Sequence, residues 1–173
     1  MSRRPGLSPR SHAMPVSISR LLCCLGLKDD CRQVLAHTLT LAQATGAEVH
    51  VLHAVKSLSD DVMHTLKANI GERATLDDLM EQRLRLARER LDEFVESFWK
   101  ENESCLPGRE IVTAKSVLEG YPASEITRYA VRHDCGMIIV ATNKRGFASS
   151  YAGRVTKGVI KRASVPVVVV PPM

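Results

Sequence analysis

Two kinds of apolar pattern alternate along the chain. One is the short run with no polar face, as in Met137-Ile138-Ile139-Val140 and again in Val167-Val168-Val169-Val170. A strand buried on both faces, as in a parallel sheet covered by helices, reads this way. The other is the one-sided stripe. Between the two runs Val155, Val159, Ile160 and Ala163 recur at helical spacing, which predicts a helix with one face on the sheet. Residues 136–170 therefore read as strand, loop, helix and strand, and the loop after the first strand of such a unit is where ligands bind.

The same alternation extends upstream. Residues 18–27 form a first strand, apolar on both faces from Leu21. Asp29 and Asp30 suit the positive end of a following helix, whose buried positions are Val34, Leu35, Thr38, Leu39 and Ala42. Gly46 stands where a C-terminal cap belongs. Residues 47–55 give a second strand, and 57–75 a polar loop with a short helix at 62–70. From Leu76 a long amphipathic helix shows a stripe through Leu79, Met80, Leu84, Ala87, Leu91, Phe94, Val95 and Phe98. Its wet face carries pairs such as Glu81 and Arg85 at i,i+4. Pro107-Gly108 breaks the chain before a third strand at 110–117. A loop at 119–122 places Pro122 in the first turn of a helix lined by Ile126, Tyr129 and Ala130. Strand and helix alternate almost throughout, so the expected class is α/β: one doubly wound parallel sheet with helices on both faces.

Composition alters this picture little. With 173 residues, 45% of them hydrophobic and 25% charged, the chain suits one globular domain. No apolar run approaches the roughly 20 residues of a membrane span, so no membrane association is expected. Residues 1–15 contain Pro5, Pro9 and Pro15 and no periodicity, and read as a disordered extension preceding a domain at 16–173. The net charge of +5 is uneven. Arg3, Arg4, Arg10 and Arg20 lie in an acid-free start. Past Asp134, Lys144, Arg145, Arg154, Lys157, Lys161 and Arg162 face no acidic residue. That second cluster is either an anion site or a solvated helix. Aromatic residues are only 4%, too few for the stacking platform of a nucleic-acid binder.

Candidate chemistry is sparse. The five cysteines have no metal-ligand spacing, and Cys23 and Cys24 would point to opposite faces of a strand. No metal site is expected. An odd number of cysteines suits reduced thiols in a cytoplasmic protein. His50 and His53, three apart, fall on opposite faces of their strand, with no carboxylate partner expected nearby. No carboxylate or histidine follows the fourth strand, so no acid/base pair is placed at the cleft and no enzyme is expected.

Joint motifs resemble the universal stress protein family. Residues 42–55 fit its Ala-x-x-x-Gly-Ala-x-Leu/Val-x-Val-Leu-His-x-Val segment. Val117, Gly120, Pro122, Ile126 and Ala130 fit its middle, and 153–170 its ending Gly-x-Val-x-x-x-Val-Leu/Ile-x-x-x-x-x-Pro-Val-x-Val-Val. The resemblance covers about residues 19–171. It implies a strand order of 3-2-1-4-5 and, in some members, ATP held by a Gly-2x-Gly-9x-Gly-Ser/Thr loop and an aspartate after the first strand. The corresponding nucleotide or anion positions here are Gly26, Val51, Ala141, Lys144, Arg145, Gly153 and Arg154. The aspartate position holds Gly26, and the first two loop glycines fall on Ala141 and Lys144. Arg154 stands where Ser/Thr would follow, and only Gly153 matches. The resemblance also implies a homodimer that pairs the last strand, through Val165, Val167, Val168, Val169 and Val170.

The expected function is thus a non-enzymatic stress-response regulator, dimeric, without a bound cofactor, and acting with an unidentified regulatory protein partner. The alternatives are an adenine-nucleotide switch or slow ATPase that uses Gly153, Arg154 and Lys144 to hold ATP, and a soluble sensory subunit of a transporter.

Overall fold

A computed structural model describes residues 17–27, 31–69, 73–142 and 153–171, with the side chains of α3 from Leu76 onward. The extension at 1–15, Asp29, Asp30, Lys144 and Arg145 lie outside these residues. Five strands, β1 (Arg20–Cys24), β2 (Glu48–Lys56), β3 (Val112–Gly120), β4 (Met137–Ala141) and β5 (Val167–Val170), make one sheet. Every pairing is parallel and the order is β3-β2-β1-β4-β5, as the alternating pattern and the resemblance together implied.

The two-faced burial follows from the pleat. Leu21 and Cys23 of β1 point to one side, where they pack with Val49, Val51, Val34, Leu35 and Phe98. Leu22 and Cys24 point to the other and meet Leu52, Ile126, Ile138, Val140 and Val159. The first layer belongs to α1 (Cys31–Thr45) and α3 (Arg73–Glu101), the second to α4 (Pro122–Arg132) and α5 (Arg154–Arg162). Leu21, Leu22, Val49, Val51, Ile138 and Ile139 are all 0% exposed. At about 1.5–3 kcal/mol for each fully buried aliphatic side chain, this central sheet is the main source of stability.

Gly46 caps α1 as expected. Its φ of 70° is left-handed, and the Ala47 N–H returns to the Ala42 carbonyl at 3.0 Å, the six-to-one bond of a Schellman turn.

Four boundaries or faces differ from the sequence reading. Residues 103–111 form a 3-10 turn (Glu103–Ile111), so β3 starts at Val112 and runs through Glu119 and Gly120; the Pro107-Gly108 break is taken up in that turn, with Gly108 pressed on Leu39. In α3 the stripe is buried only in its second half. Leu79 is 37% exposed, whereas Trp99, absent from the expected stripe, is 3% exposed. α3 also packs with α2 (Asp60–Asn69), which buries no residue of its own. Among the described residues α3 makes no Glu81–Arg85 pair. Its ion pairs are tertiary: Arg83 with Glu119 at 2.8 Å, Asp92 with Lys115, Glu96 with Arg109 at 2.9 Å and Glu101 with Arg32. In α5 the buried residues are Thr156, Gly158 and Val159, while Val155 and Ile160 are exposed.

Candidate functional site

The carboxyl ends of β1, β2 and β4 open into a cavity of about 480 Å³, flanked by the first turns of α4 and α5. This is the switch point of the sheet, where β1 sends its connections to β2 on one side and receives β4 on the other. Its walls are apolar: Cys24, Leu52, Ile126, Val140, Ala141 and Val155 line it, with Lys56 and His53 also in the lining. A size of a few hundred Å3 with apolar walls and few polar groups is what a small-molecule site requires.

Gly26 lies in this wall, and its N–H donates to Cys31 Sγ at 3.2 Å. A Cβ there would meet that sulfur at 3.6 Å, an ordinary contact, so crowding does not force glycine. Ala141 also lines the cavity, and its carbonyl accepts from Thr156 Oγ1 at 2.8 Å. That bond fastens the first turn of α5 to the end of β4. Gly153 is the N-cap of α5 and supplies no side-chain cap. Arg154, the next residue, is exposed and outside the cavity lining. Val51 is not in the cavity. The pleat turns it to the α1 and α3 side, where it is 0% exposed, and its neighbour Leu52 takes the cavity face. Lys144 and Arg145, like Gly146, Ser149 and Ser150, fall outside the described residues.

Thr142 is the polar group that sequence reasoning missed. It lines the cavity and is 8% exposed, and its Oγ1 is buried without a hydrogen-bond partner among the described residues. Cys24, one of the two thiols in the lining, is not poised as a nucleophile. Burial pushes the Cys24 thiol well above its ordinary value, and pushes its neighbour Cys23 up to about 12; a reactive cysteine needs the opposite shift. Among the described residues no group of three or more His, Cys, Asp or Glu could hold a metal.

A second polar cluster lies at the amino ends of the strands, away from the cavity. Arg20 pairs with Glu48 and donates to the His133 carbonyl. His50 Nδ1 lies 3.0 Å from the Tyr129 hydroxyl, which is 3.3 Å from Ser116 Oγ. His133 stacks on Tyr129 with ring centroids 4.0 Å apart. Contrary to the sequence expectation, His50 has a carboxylate neighbour, Glu48, with Nε2 4.0 Å from Oε1. His53 is separate, its Nδ1 2.8 Å from the Leu25 carbonyl. The signal for the cluster was the Glu48-x-His50 spacing, which puts both side chains on one face of a strand.

Among the described residues β5 has β4 as its one neighbour in the sheet, and no described strand pairs with the backbone groups of its other side. Val167, Val168 and Val169 are half-buried and Val170 is 3% exposed. Val165 lies before the strand rather than in it, because the Pro166 carbonyl accepts from Ile138 N–H and starts the pairing with β4 there. No helix among the described residues is long and apolar enough to cross a membrane.

The comparisons with known proteins agree with this geometry. The model of the universal stress protein family matches residues 17–171. Among solved structures, hypothetical protein MJ0577 is similar with a TM-score of 0.65 and 19% identity, over 91% of this chain and 99% of that one. The universal stress protein UspA from Lactobacillus plantarum follows with a TM-score of 0.57 and 18% identity, over 90% and 99%. The universal stress protein from Archaeoglobus fulgidus in complex with dAMP gives 0.53 and 20%, over 88% and 96%. At these identities the structures show the fold. No curated protein matches the chain in sequence.

Proposed function

The chain belongs to the universal stress protein family, and from that premise we propose that it is a non-enzymatic stress-response regulator of the cytosol. It works as a homodimer joined through β5, with a cleft not built to retain ATP. The observation that carries this reading is the cavity wall itself. Gly26 stands where a ribose-binding aspartate would be expected, and among the described residues the lining includes no acidic side chain. Ala141 replaces a loop glycine, so a Cβ stands where backbone would approach phosphate. Lys56 is the one cation among the described lining residues, a single charge against the several that a triphosphate needs. Among the described residues the lining holds His53 without a carboxylate to pair with it, so no acid/base pair is in place there for hydrolysis.

A second reading is an adenine-nucleotide switch. It is favoured by the open cavity at the switch point and by a structural neighbour solved in complex with dAMP. One experiment decides between them. The protein is purified without added ligand and denatured, and released adenine nucleotide is quantified by chromatography; ATP and dAMP are then titrated calorimetrically into fresh protein. The regulator reading expects no released nucleotide and no saturable heat up to millimolar ligand. Stoichiometric nucleotide, or saturation at micromolar ATP or dAMP, would establish the switch instead.

A further inference from the structure

The outer face of α4 and α5 carries charge that the cleft does not use. The two helices approach closely at Gly158, where an added Cβ would stand 2.7 Å from Ala123 Cβ. Beside that contact a groove of about 590 Å³ runs between them, lined by Ser124, Thr127, Arg128, Val131, Arg132 and Arg162. Arg128 and Arg132 are one helical turn apart and repel each other. Glu125 answers Arg128 alone, with Oε1 3.1 Å from Nη1. Among the described residues no carboxylate pairs with Arg132 or Arg162. α5 itself has no acidic residue.

Two features make this more than a solvated basic helix. Arg162 is held in place. Its guanidinium sits 5.4 Å above the Tyr121 ring, and Nη1 donates to the Gly158 carbonyl at 3.3 Å. A cation already ordered loses less entropy when it pairs. Val131, in the groove lining, is 64% exposed. An apolar side chain set beside Arg132 and Arg162, which no carboxylate pairs with among the described residues, makes a surface that suits both carboxylates and an apolar contact.

From this juxtaposition we infer that the α4–α5 groove docks an acidic segment of a partner protein. Asp or Glu carboxylates of the segment meet Arg128, Arg132 and Arg162, and an apolar residue of it seats on Val131. A nucleic acid would want aromatic platforms for its bases, and Tyr121, an aromatic ring beside Gly158, is already covered by Arg162. A bilayer favours an amphipathic helix with a broad apolar side that can sink into it, whereas Val131 is the one apolar residue among the described residues of this lining. The inference adds a partner class to the regulatory reading and does not depend on what the cleft binds.

The test uses the full chain and a fluorescein-labelled peptide, Glu-Asp-Glu-Leu-Glu-Asp-Glu, followed by fluorescence anisotropy. Saturable binding that weakens as salt is raised is expected. Combined Arg132→Glu and Arg162→Glu should weaken it at least about tenfold, and replacing the peptide leucine by serine should weaken it further. Arg85→Glu, on the opposite helical layer, should leave it unchanged. Circular dichroism checks the fold of each variant, and if the double reversal unfolds the protein, Arg132→Gln carries the test. Absence of saturable peptide binding overturns the inference. So does an equal loss in Arg85→Glu, or tighter binding to phosphatidylserine vesicles or duplex DNA than to the peptide. Nucleotide release or uptake by the cleft leaves each of these outcomes readable.

Discussion

Glu48 and His50 stand two residues apart on β2 and face the same cluster, yet they are shifted for different reasons. The hydrogen bond from Arg20 holds the Glu48 carboxyl below its ordinary value, with burial opposing and the Thr113 hydroxyl helping. Thr113 is available because the β2–β3 register slips there, pairing Val49 with Val112 and His50 with Ala114. Burial, and then the charge of Arg20, lowers His50, while Glu48 acts the other way. The groups facing His50 are thus Arg20 from β1, Glu48 from its own strand, Ser116 from β3 through Tyr129, and Tyr129 and His133 from α4. Between the ordinary histidine value of 6.5 and the lower folded one, the unfolded chain takes up a proton that the folded chain refuses. Stability is therefore full above 6.5 and falls as pH drops through that window. A depressed carboxyl gives the same direction at lower pH, below 4.5. The melting temperature is expected to fall as pH is lowered from 8 to 5, and His50→Gln to flatten the part of the fall that begins near 6.5. An unchanged slope in that variant would refute the assignment. Local signals such as the Gly46 cap were readable because their partners lie within one turn. The surroundings of His50 were not, because Tyr129 is 79 residues away.

At the scale of the element, α5 shows how packing overrides periodicity. The apolar stripe Val155, Val159 and Ile160 predicted one buried face, but the helix is turned so that Thr156, Gly158 and Val159 are buried. Thr156 ties down to Ala141, and Gly158 lets α4 close in. Replacing Gly158 by alanine should therefore destabilise. Helix propensity favours alanine by about 1 kcal/mol, but a Cβ 2.7 Å from Ala123 Cβ pushes two backbones apart, and overpacking costs about 1–3 kcal/mol. A net loss of roughly 1 kcal/mol is expected in urea denaturation. Ala123→Gly in the same chain should recover part of it. If Gly158→Ala alone is stabilising, the contact between the helices is looser than this geometry. The same lesson holds for α3, whose stripe was periodic over its whole length. The stripe's buried residues, Ala87, Leu91, Val95 and Phe98, all lie in the later turns.

For the whole molecule, the exposed edge of β5 is where assembly is expected. A strand of four valines with one side that no described strand pairs needs cover, and a two-fold partner that pairs the same strand supplies it. Sedimentation at micromolar concentration is expected to give twice the mass of one chain. Val168→Lys, checked for fold by circular dichroism, should return it to a monomer. A monomeric parent protein at that concentration would remove the dimer from the proposal. The sequence by itself determined the α/β class, the five strands, the depth at which β1 and β4 are buried and the family, because burial on both faces and capping are written in residues close together in the chain. Only the tertiary structure decided that Val51 belongs to the core and Leu52 to the cavity, that the Thr142 hydroxyl has no partner among the described residues, and that arginines of α4 and α5 line one open groove. Those depend on the pleat and on distant helices meeting across the sheet, which no periodicity within one element records.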